Sequence, residues 1–360
     1  ATVGRQNGIA NGIARKEDTM TDKHWRSRIA TLAALIALML GVTACGGDED
    51  EAEPGGNGEA GAVEVLRMGI EPWIGYGPWW VADEKGFDKE HGVDIKITNF
   101  TTDQDINSAF AAGRLDASNI ATHTGLRFIG AGLPLKIVLF EDVSREADAV
   151  LAGPNVDSVD ELQGKKVAYE EGTTSDLLLR YALNQSGMSI EDVEVVPIPA
   201  ADAGAAAIAG RVDVAVTYEP YLTAALGQDE DFKLLYTAGE RPGLISDILV
   251  VNEEFASEKA DVIVSALKAW NDAIEFYRSN PEEAQAIIAN TVGAKPEELK
   301  ESFAGVDLFD LEQAQEMFEG DFVPLANEIE EILNQQESLE GDPDVEAVLD
   351  TSFLERALEE

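Results

Sequence analysis

Ala112-Gly113-Arg114-Leu115-Asp116-Ala117 returns 97 residues later as Ala209-Gly210-Arg211-Val212-Asp213-Val214. In both places a small-residue helical stretch runs up to a glycine, and a short apolar strand comes next. Glycine can end a helix in the left-handed region without a Cβ clash. Chance or a shared local grammar could also produce six matched positions. The surroundings support a repeat, because strands and helices alternate around both copies, as in an α/β architecture. Apolar alternation predicts strands over 64–70 and 93–99 and near 115–120 and 135–140. Further strands are expected over 167–169, 193–198, 212–217, 232–236 and 246–252. One helix should begin at Pro78 and stop at Gly86, and another near 103–112 should bury Ile106, Ala109 and Phe110. From 253 onward the pattern is helical, with Ala266, Leu267, Trp270, Ile274 and Tyr277 on one face.

Two similar α/β lobes are the expectation. Lobe 1 covers 63–150 and lobe 2 covers 151–243, while 244–360 returns to lobe 1 and adds C-terminal helices. About 300 residues is more than one core usually supports. Ligands of such sheets bind outside the carboxyl ends of the strands. Residues 119–123 come after the first repeat strand and 216–220 after the second. The offset therefore sets Asn119 and Thr122 at one strand end and Tyr218 and Glu219 at the other. If the lobes face each other, both loops line one cleft.

The N-terminal segment has a separate logic. A basic stretch with Lys23, Arg26 and Arg28 precedes an uncharged apolar run, 29–44, that ends at Cys45, the one cysteine of the chain. A charged start, a short apolar region and small residues before a cleavage point make a secretory signal. Val42-Thr43-Ala44-Cys45 resembles the bacterial lipobox, in which the cysteine is acylated and the chain cut just before it. The alternative is an uncleaved membrane anchor, for which the run is at the short edge. Either way, the chain beyond Cys45 lies outside the cytoplasmic membrane. Residues 1–19 lack a starting Met, and Met20 opens a sensible leader, so 1–19 read as an over-read or remnant. Residues 45–62 are acidic and Gly-rich and should be a disordered tether.

The chain carries 69 acidic and 26 basic residues. Residues 1–44 hold three of the acids and six of the bases, which leaves 66 against 20, or −46, for the rest. Such a charge repels nucleic acid and anionic membrane surfaces. It suits a salt-rich setting, where the screening length shrinks to ~3 Å at 1 M; a solvated acidic surface or a ligand-steering field is the alternative. With a single cysteine, no disulfide can form within the chain.

The order of motifs resembles the nitrate/sulfonate/taurine branch of the periplasmic substrate-binding proteins of ABC importers. The resemblance rests on 66–86 with its Glu84-Lys85-Gly86-Phe87 close and on Ala111–Asp116. It also rests on 160–168 followed by Gly172-Thr173-Thr174-Ser175, on Tyr218-Glu219-Pro220-Tyr221, and on Asp350–Leu354. It implies a two-lobed, type II periplasmic-binding-protein fold with a ligand cleft between lobes and a helical C-terminal region. It further implies an extracytoplasmic, lipid-anchored monomer that serves an ABC permease and its ATPase, without cofactor, metal or catalysis. Glu219 and Asp247 lie at strand-to-loop junctions where members of that family keep ligand contacts.

Thr173, Thr174 and Ser175 precede a helix, where free N–H groups suit an anion; ordinary capping by Thr174 or Ser175 is the plainer role. Trp73 and Tyr76, among glycines, are aromatic platforms for a planar or cationic group. The loops 71–79, 101–105, 120–124, 170–175 and 217–221 contain no Lys or Arg. A bare inorganic anion normally brings one, so nitrate and bicarbonate drop. A taurine- or sulfonate-like zwitterion or an amine rises, with an aminopyrimidine-type thiamine precursor as the alternative. A sensor or a lyase on the same fold is a further alternative. His24, His91 and His123 fall into no metal or catalytic spacing. The yeast-type pyrimidine precursor synthases of this fold rely on a Cys-rich segment that this chain does not have.

Overall fold

Each copy of the repeated hexapeptide makes the same joint. The computed structural model describes residues 63–228 and 231–359; the leader, Cys45 and the tether lie outside the described residues. Its strands are β1 (Glu64–Ile70), β2 (Val93–Asn99), β3 (Ala117–Ala121), β4 (Leu135–Ser144), β5 (Asp148–Ala152) and β6 (Lys166–Tyr169). They continue as β7 (Glu194–Pro197), β8 (Val214–Tyr218), β9 (Lys233–Thr237), β10 (Ser246–Asn252) and β11 (Val306–Leu308). The helix Asp103–Ala111 leads into β3 as the helix Ala200–Ile208 leads into β8, with every boundary displaced by the same offset. Gly113 and Gly210 turn the chain at φ 67° and 66°, a region that favours glycine. The two aspartates of the repeat play matching parts. Asp116 accepts the Arg67 N–H at 2.9 Å, and Asp213 accepts the Lys166 N–H at 2.9 Å. Each ties the helix-to-strand turn to its parallel neighbour, β1 at its middle or β6 at its first residue.

Two sheets result. One runs β11-β4-β10-β3-β1-β2 and the other β7-β6-β8-β5-β9. The repeat is topological as well as local, because β2-β1-β3-β10 and β7-β6-β8-β5 have the same order and sense. β1 is parallel to β2 and β3, β6 to β7 and β8, and β10 and β5 run antiparallel to β3 and β8. The chain crosses between sheets at 145–147 and again at 238–245. Backbone bonds link the two crossings: Ser144 N–H donates to the Ile245 carbonyl at 3.1 Å, and Gly239 N–H to the Arg145 carbonyl. A paired crossing of this kind is a hinge geometry.

Two elements differ from the sequence expectation. β5 is not among the strands that alternation predicts, and β11 interrupts the helical C-terminal region by pairing with the end of β4. β5 is apolar throughout after Asp148 and buried at every position, so it shows no alternation to read. In the first sheet's core, Trp79 and Trp270 pack with ring centroids 4.9 Å apart and are both fully buried. Trp270 sits on the helix Ala260–Ser279, whose expected face buries Ala266, Leu267, Trp270 and Ile274; truncating such a tryptophan to Ala costs about 3–5 kcal/mol. Among the described residues, no helix is long and apolar enough to cross a membrane.

Candidate functional site

The carboxyl ends of the parallel strands in both sheets open on one pocket. Glu71 and Trp73 come after β1, Asp103 after β2, Thr173–Ser175 after β6 and Ala200 after β7, and Tyr218 ends β8. The antiparallel strands contribute from their beginnings, β5 with Asp148 and β10 with Asp247, and Ile245 closes the wall. Trp73 from one sheet and Tyr218 from the other meet edge to face, with centroids 6.1 Å apart.

Of the residues that the sequence singles out, Trp73, Thr173, Thr174, Ser175, Tyr218 and Asp247 come together in this lining. Tyr76, Asn119, Thr122 and Glu219 stand outside it, each for a visible reason. Asn119 lies inside β3 rather than past its end, and its amide donates to the Gly69 carbonyl at 2.7 Å. Thr122 is spent on Ser246, hydroxyl to hydroxyl at 2.8 Å. Glu219 accepts the Thr223 N–H at 3.0 Å and the Thr223 hydroxyl at 2.8 Å. Thr223 in turn meets Ser302, next to the first sheet's C-terminal helices, at 2.8 Å, so Glu219 belongs to a contact between the lobes. Tyr76 is buried and reaches the pocket only through Asp247, to which its hydroxyl donates at 2.9 Å.

Trp73 is not the exposed platform that its glycine-rich loop suggests. It is 6 % exposed, and its indole N–H donates to Asp142 at 3.1 Å. It therefore serves core and pocket together, and removing it should cost stability as well as binding. The helix Thr174–Gln185 is capped by Thr173, whose hydroxyl accepts the Ser175 N–H, rather than by Thr174 or Ser175. Asp176 in its first turn accepts the Gly172 N–H at 2.9 Å. A carboxylate already occupies the positive end of this helix, which weakens its appeal to an anion.

Glu71, Asp103, Asp148 and Arg127 are site residues that the sequence reading does not pick out. The signal for Glu71 and Asp103 is the strand-end rule itself, applied to β1 and β2 for acids as well as for bases. Asp148 is hidden with β5. Arg127 lies on the helix Thr122–Gly130; its guanidinium crosses the cleft to the Gly172 carbonyl and holds the Ser338 carbonyl at 3.1 Å.

The electrostatics reflect crowding. Burial, then Asp103, Glu170 and Asp247, push Glu71 well above the usual carboxylate range. Burial, with Glu170 and Asp247, raises Asp103 to about 7, partly opposed by Arg127. Burial, with Asp247, Glu219 and Asp103, raises Asp148 to about 8, against a lowering influence from Ser144. Burial raises Asp247 less, to about 6, because Tyr76 and Asp142 give hydrogen bonds that favour its ionised form. Asp142 faces Asp247 across the antiparallel β4–β10 ladder. Burial and the Asp247 charge keep Asp142 far above its ordinary value. Hydrogen bonding to the charged form is what selects one acid of a crowded group as the anion.

Two α/β lobes joined by a double crossing, with a pocket at their facing strand ends, define a two-lobed periplasmic binding-protein fold. Residues 73–284 match the sequence profile of the family described as NMT1/THI5 like. That is more than half of the chain, which belongs to this family, in the nitrate/sulfonate/taurine branch of substrate-binding proteins. A Bacillus subtilis (strain 168) protein provisionally named aliphatic sulfonates-binding protein is 26 % identical over 337 residues, 91 % of this chain and 97 % of its own. The Escherichia coli (strain K12) taurine-binding periplasmic protein is 25 % identical over 54 % of this chain and 61 % of its own. The alkanesulfonate-binding protein SsuA from Xanthomonas axonopodis pv. citri, bound to MOPS, shares the fold with a TM-score of 0.68 at 18 % identity, over 81 % of this chain and all of that one. A desulfurization enzyme, DSZB, shares it with a TM-score of 0.60 at 14 % identity, over 82 % of this chain and 99 % of that one.

Proposed function

We propose that this chain is the extracytoplasmic, lipid-anchored receptor of an ABC importer, and that its ligand is a small organic molecule bearing a positively charged nitrogen. The relatives' names supply the transport class and, with sulfonates and taurine, a negatively charged end. The lining of this pocket supports the opposite charge: four acidic side chains, two aromatic rings and no Lys or Arg, while the guanidinium of Arg127 beside it is spent on the Gly172 and Ser338 carbonyls. A sulfonate would need charge-assisted donors where this chain has Glu71, Asp103, Asp148 and Asp247.

In this reading Asp247 is the counter-ion, held ready by Tyr76 and Asp142, and Trp73 and Tyr218 offer ring surface to the same cation. Thr173, Thr174 and Ser175 supply neutral polar contacts from the other lobe. The ligand bridges the two lobes, which the crossings at 145–147 and 238–245 bound so that β5, from Asp148, belongs to the second lobe and not to the first, and it stabilises the closed state through contacts made only there. Cys45 carries the lipid that keeps the receptor beside its permease. A zwitterion is also compatible, its amine on Asp247 and its acidic end toward Thr174.

A thermal-shift screen in molar salt separates these readings. A ligand at 100 times its Kd adds ~2.7 kcal/mol to the folded state. Primary amines and aminopyrimidines should raise the unfolding temperature, and alkanesulfonates without an amine should leave it unchanged. Stabilisation by the plain alkanesulfonates and not by any amine would refute the proposal.

A further inference from the structure

Two hydrogen-bonded fastenings cross from one lobe to the other, and neither uses a residue of the pocket lining. The first is Arg127, on the helix Thr122–Gly130 of the first lobe. Its Nε donates to the Ser338 carbonyl at 3.1 Å, which anchors the guanidinium on its own lobe, and its Nη1 donates to the Gly172 carbonyl of the second. Gly172 directly precedes the Thr173–Ser175 stretch that lines the pocket. Burial lowers Arg127 from its ordinary value, while Asp176 of the second lobe and Asp103 of the first favour its charge. The cation thus stands between an acid of each lobe, and an arginine stays charged throughout the ordinary pH range.

The second fastening lies at the hinge. The Ser302 hydroxyl meets that of Thr223 at 2.8 Å, and the Thr223 hydroxyl meets Glu219 at 2.8 Å. Burial raises Glu219 above its ordinary value, and hydrogen bonds from Thr223 and Ser302 oppose the rise. Ser302 opens the short turn Ser302–Gly305. The Gly305 carbonyl accepts the N–H groups of Arg145 at 2.7 Å and Glu146 at 3.2 Å, both in the first crossing, and the Glu219 N–H donates to the Ala147 carbonyl at 2.9 Å. One short chain of bonds therefore joins the second lobe, the crossing and the C-terminal part of the first lobe.

We propose that Arg127 and Ser302 are positioning residues for ligand capture, two latches by which the protein itself holds its lobes closed over the pocket. The inference goes beyond the ligand's charge and holds for an amine or a sulfonate alike. A bond between lobes stabilises the closed arrangement and has no counterpart in the open one, where its groups return to water. Both latches act on a single equilibrium, so weakening either must loosen the flank held by the other. That coupling separates a latch from a local cap. A ligand that meets a latched cleft has less closure left to drive, and its entry waits on the latches.

The test is hydrogen–deuterium exchange, read by mass spectrometry on the full chain in molar salt, and it needs no ligand. Exchange is followed in peptides covering 170–176, at the Arg127 latch, and 219–224, at the Ser302 latch. Arg127→Gln should speed exchange about tenfold at both flanks, and Ser302→Ala about threefold at both, with the amides inside β1, β3, β6 and β8 unchanged. Arg127→Lys, which keeps the charge and can still reach one carbonyl, should restore part of the protection at both. Acceleration confined to 170–176 in Arg127→Gln would reduce the residue to a cap on the Gly172 turn and overturn the latch. Should Arg127→Gln loosen the strands as well, Ser302→Ala decides: unchanged exchange at 170–176 in that variant overturns the proposal, and faster exchange there sustains it. Flanking amides that exchange at unprotected rates in the parent would overturn it too.

Discussion

Asp148→Asn should make the ligand-free protein progressively more stable than its parent as pH rises. The folded-state value of Asp148 is about 8, against ~3.9 in an unfolded chain. Between those values the folded protein keeps a proton that the unfolded chain has already released. Stability from this group is therefore full below the unfolded value and is lost as pH rises toward the folded one. Each pH unit in that window is worth about 1.4 kcal/mol. From pH 5 to pH 7 the parent should thus lose about 2–3 kcal/mol through Asp148, a group buried enough that solvent screening takes little of it. Asp247 on β10, Glu219 at the end of β8 and Asp103 on the helix after β2 face it and share the repulsion. The asparagine has the same shape, never ionises, and escapes the loss. The assay is urea unfolding of parent and variant at pH 5 and pH 7, in molar salt and without ligand. A stability gap that does not widen toward pH 7 would refute the buried, proton-holding state of Asp148 and with it the crowded-acid account of the pocket.

Asp247→Asn should weaken binding of an amine ligand by about 1.5–3 kcal/mol, the worth of a hydrogen bond to a charged group. Tyr76→Phe should cost less, about 0.5–1.5 kcal/mol, because it acts through Asp247; calorimetry in which Tyr76→Phe is the more damaging would reverse their roles. Residues 45–360, at −46, should unfold at lower temperature in dilute buffer than in molar salt, since weaker screening exposes self-repulsion; an unchanged midpoint would end the salt-adaptation reading. Mass spectrometry of the native protein should find an acylated Cys45 at the N-terminus, and an intact leader would remove the lipoprotein assignment.

The repeat is legible in the sequence because its causes are local. Gly113 and Gly210 stop helices, Asp116 and Asp213 tie each turn to a neighbouring strand, and strand 64–70 announces itself by alternation. Those features need only a few adjacent residues, and they are enough for the α/β class, the two lobes and the strand ends where a ligand belongs. The family resemblance comes from the same stretches, and the acidic excess is composition alone. The chain by itself does not reveal which side chains spend their polar groups on the protein and which keep them for a ligand. Thr122 and Asn119 sit where the offset rule sends them, yet Ser246 and the Gly69 carbonyl claim them from distant segments. Tyr76 and Trp73 look like loop aromatics until Asp247 and Asp142 arrive from strands far along the chain. Asp148 has no local mark at all, because β5 is a uniformly buried strand. Its importance comes from three acids brought beside it by other elements, and electrostatic repulsion depends on distance in space, which only the tertiary structure sets.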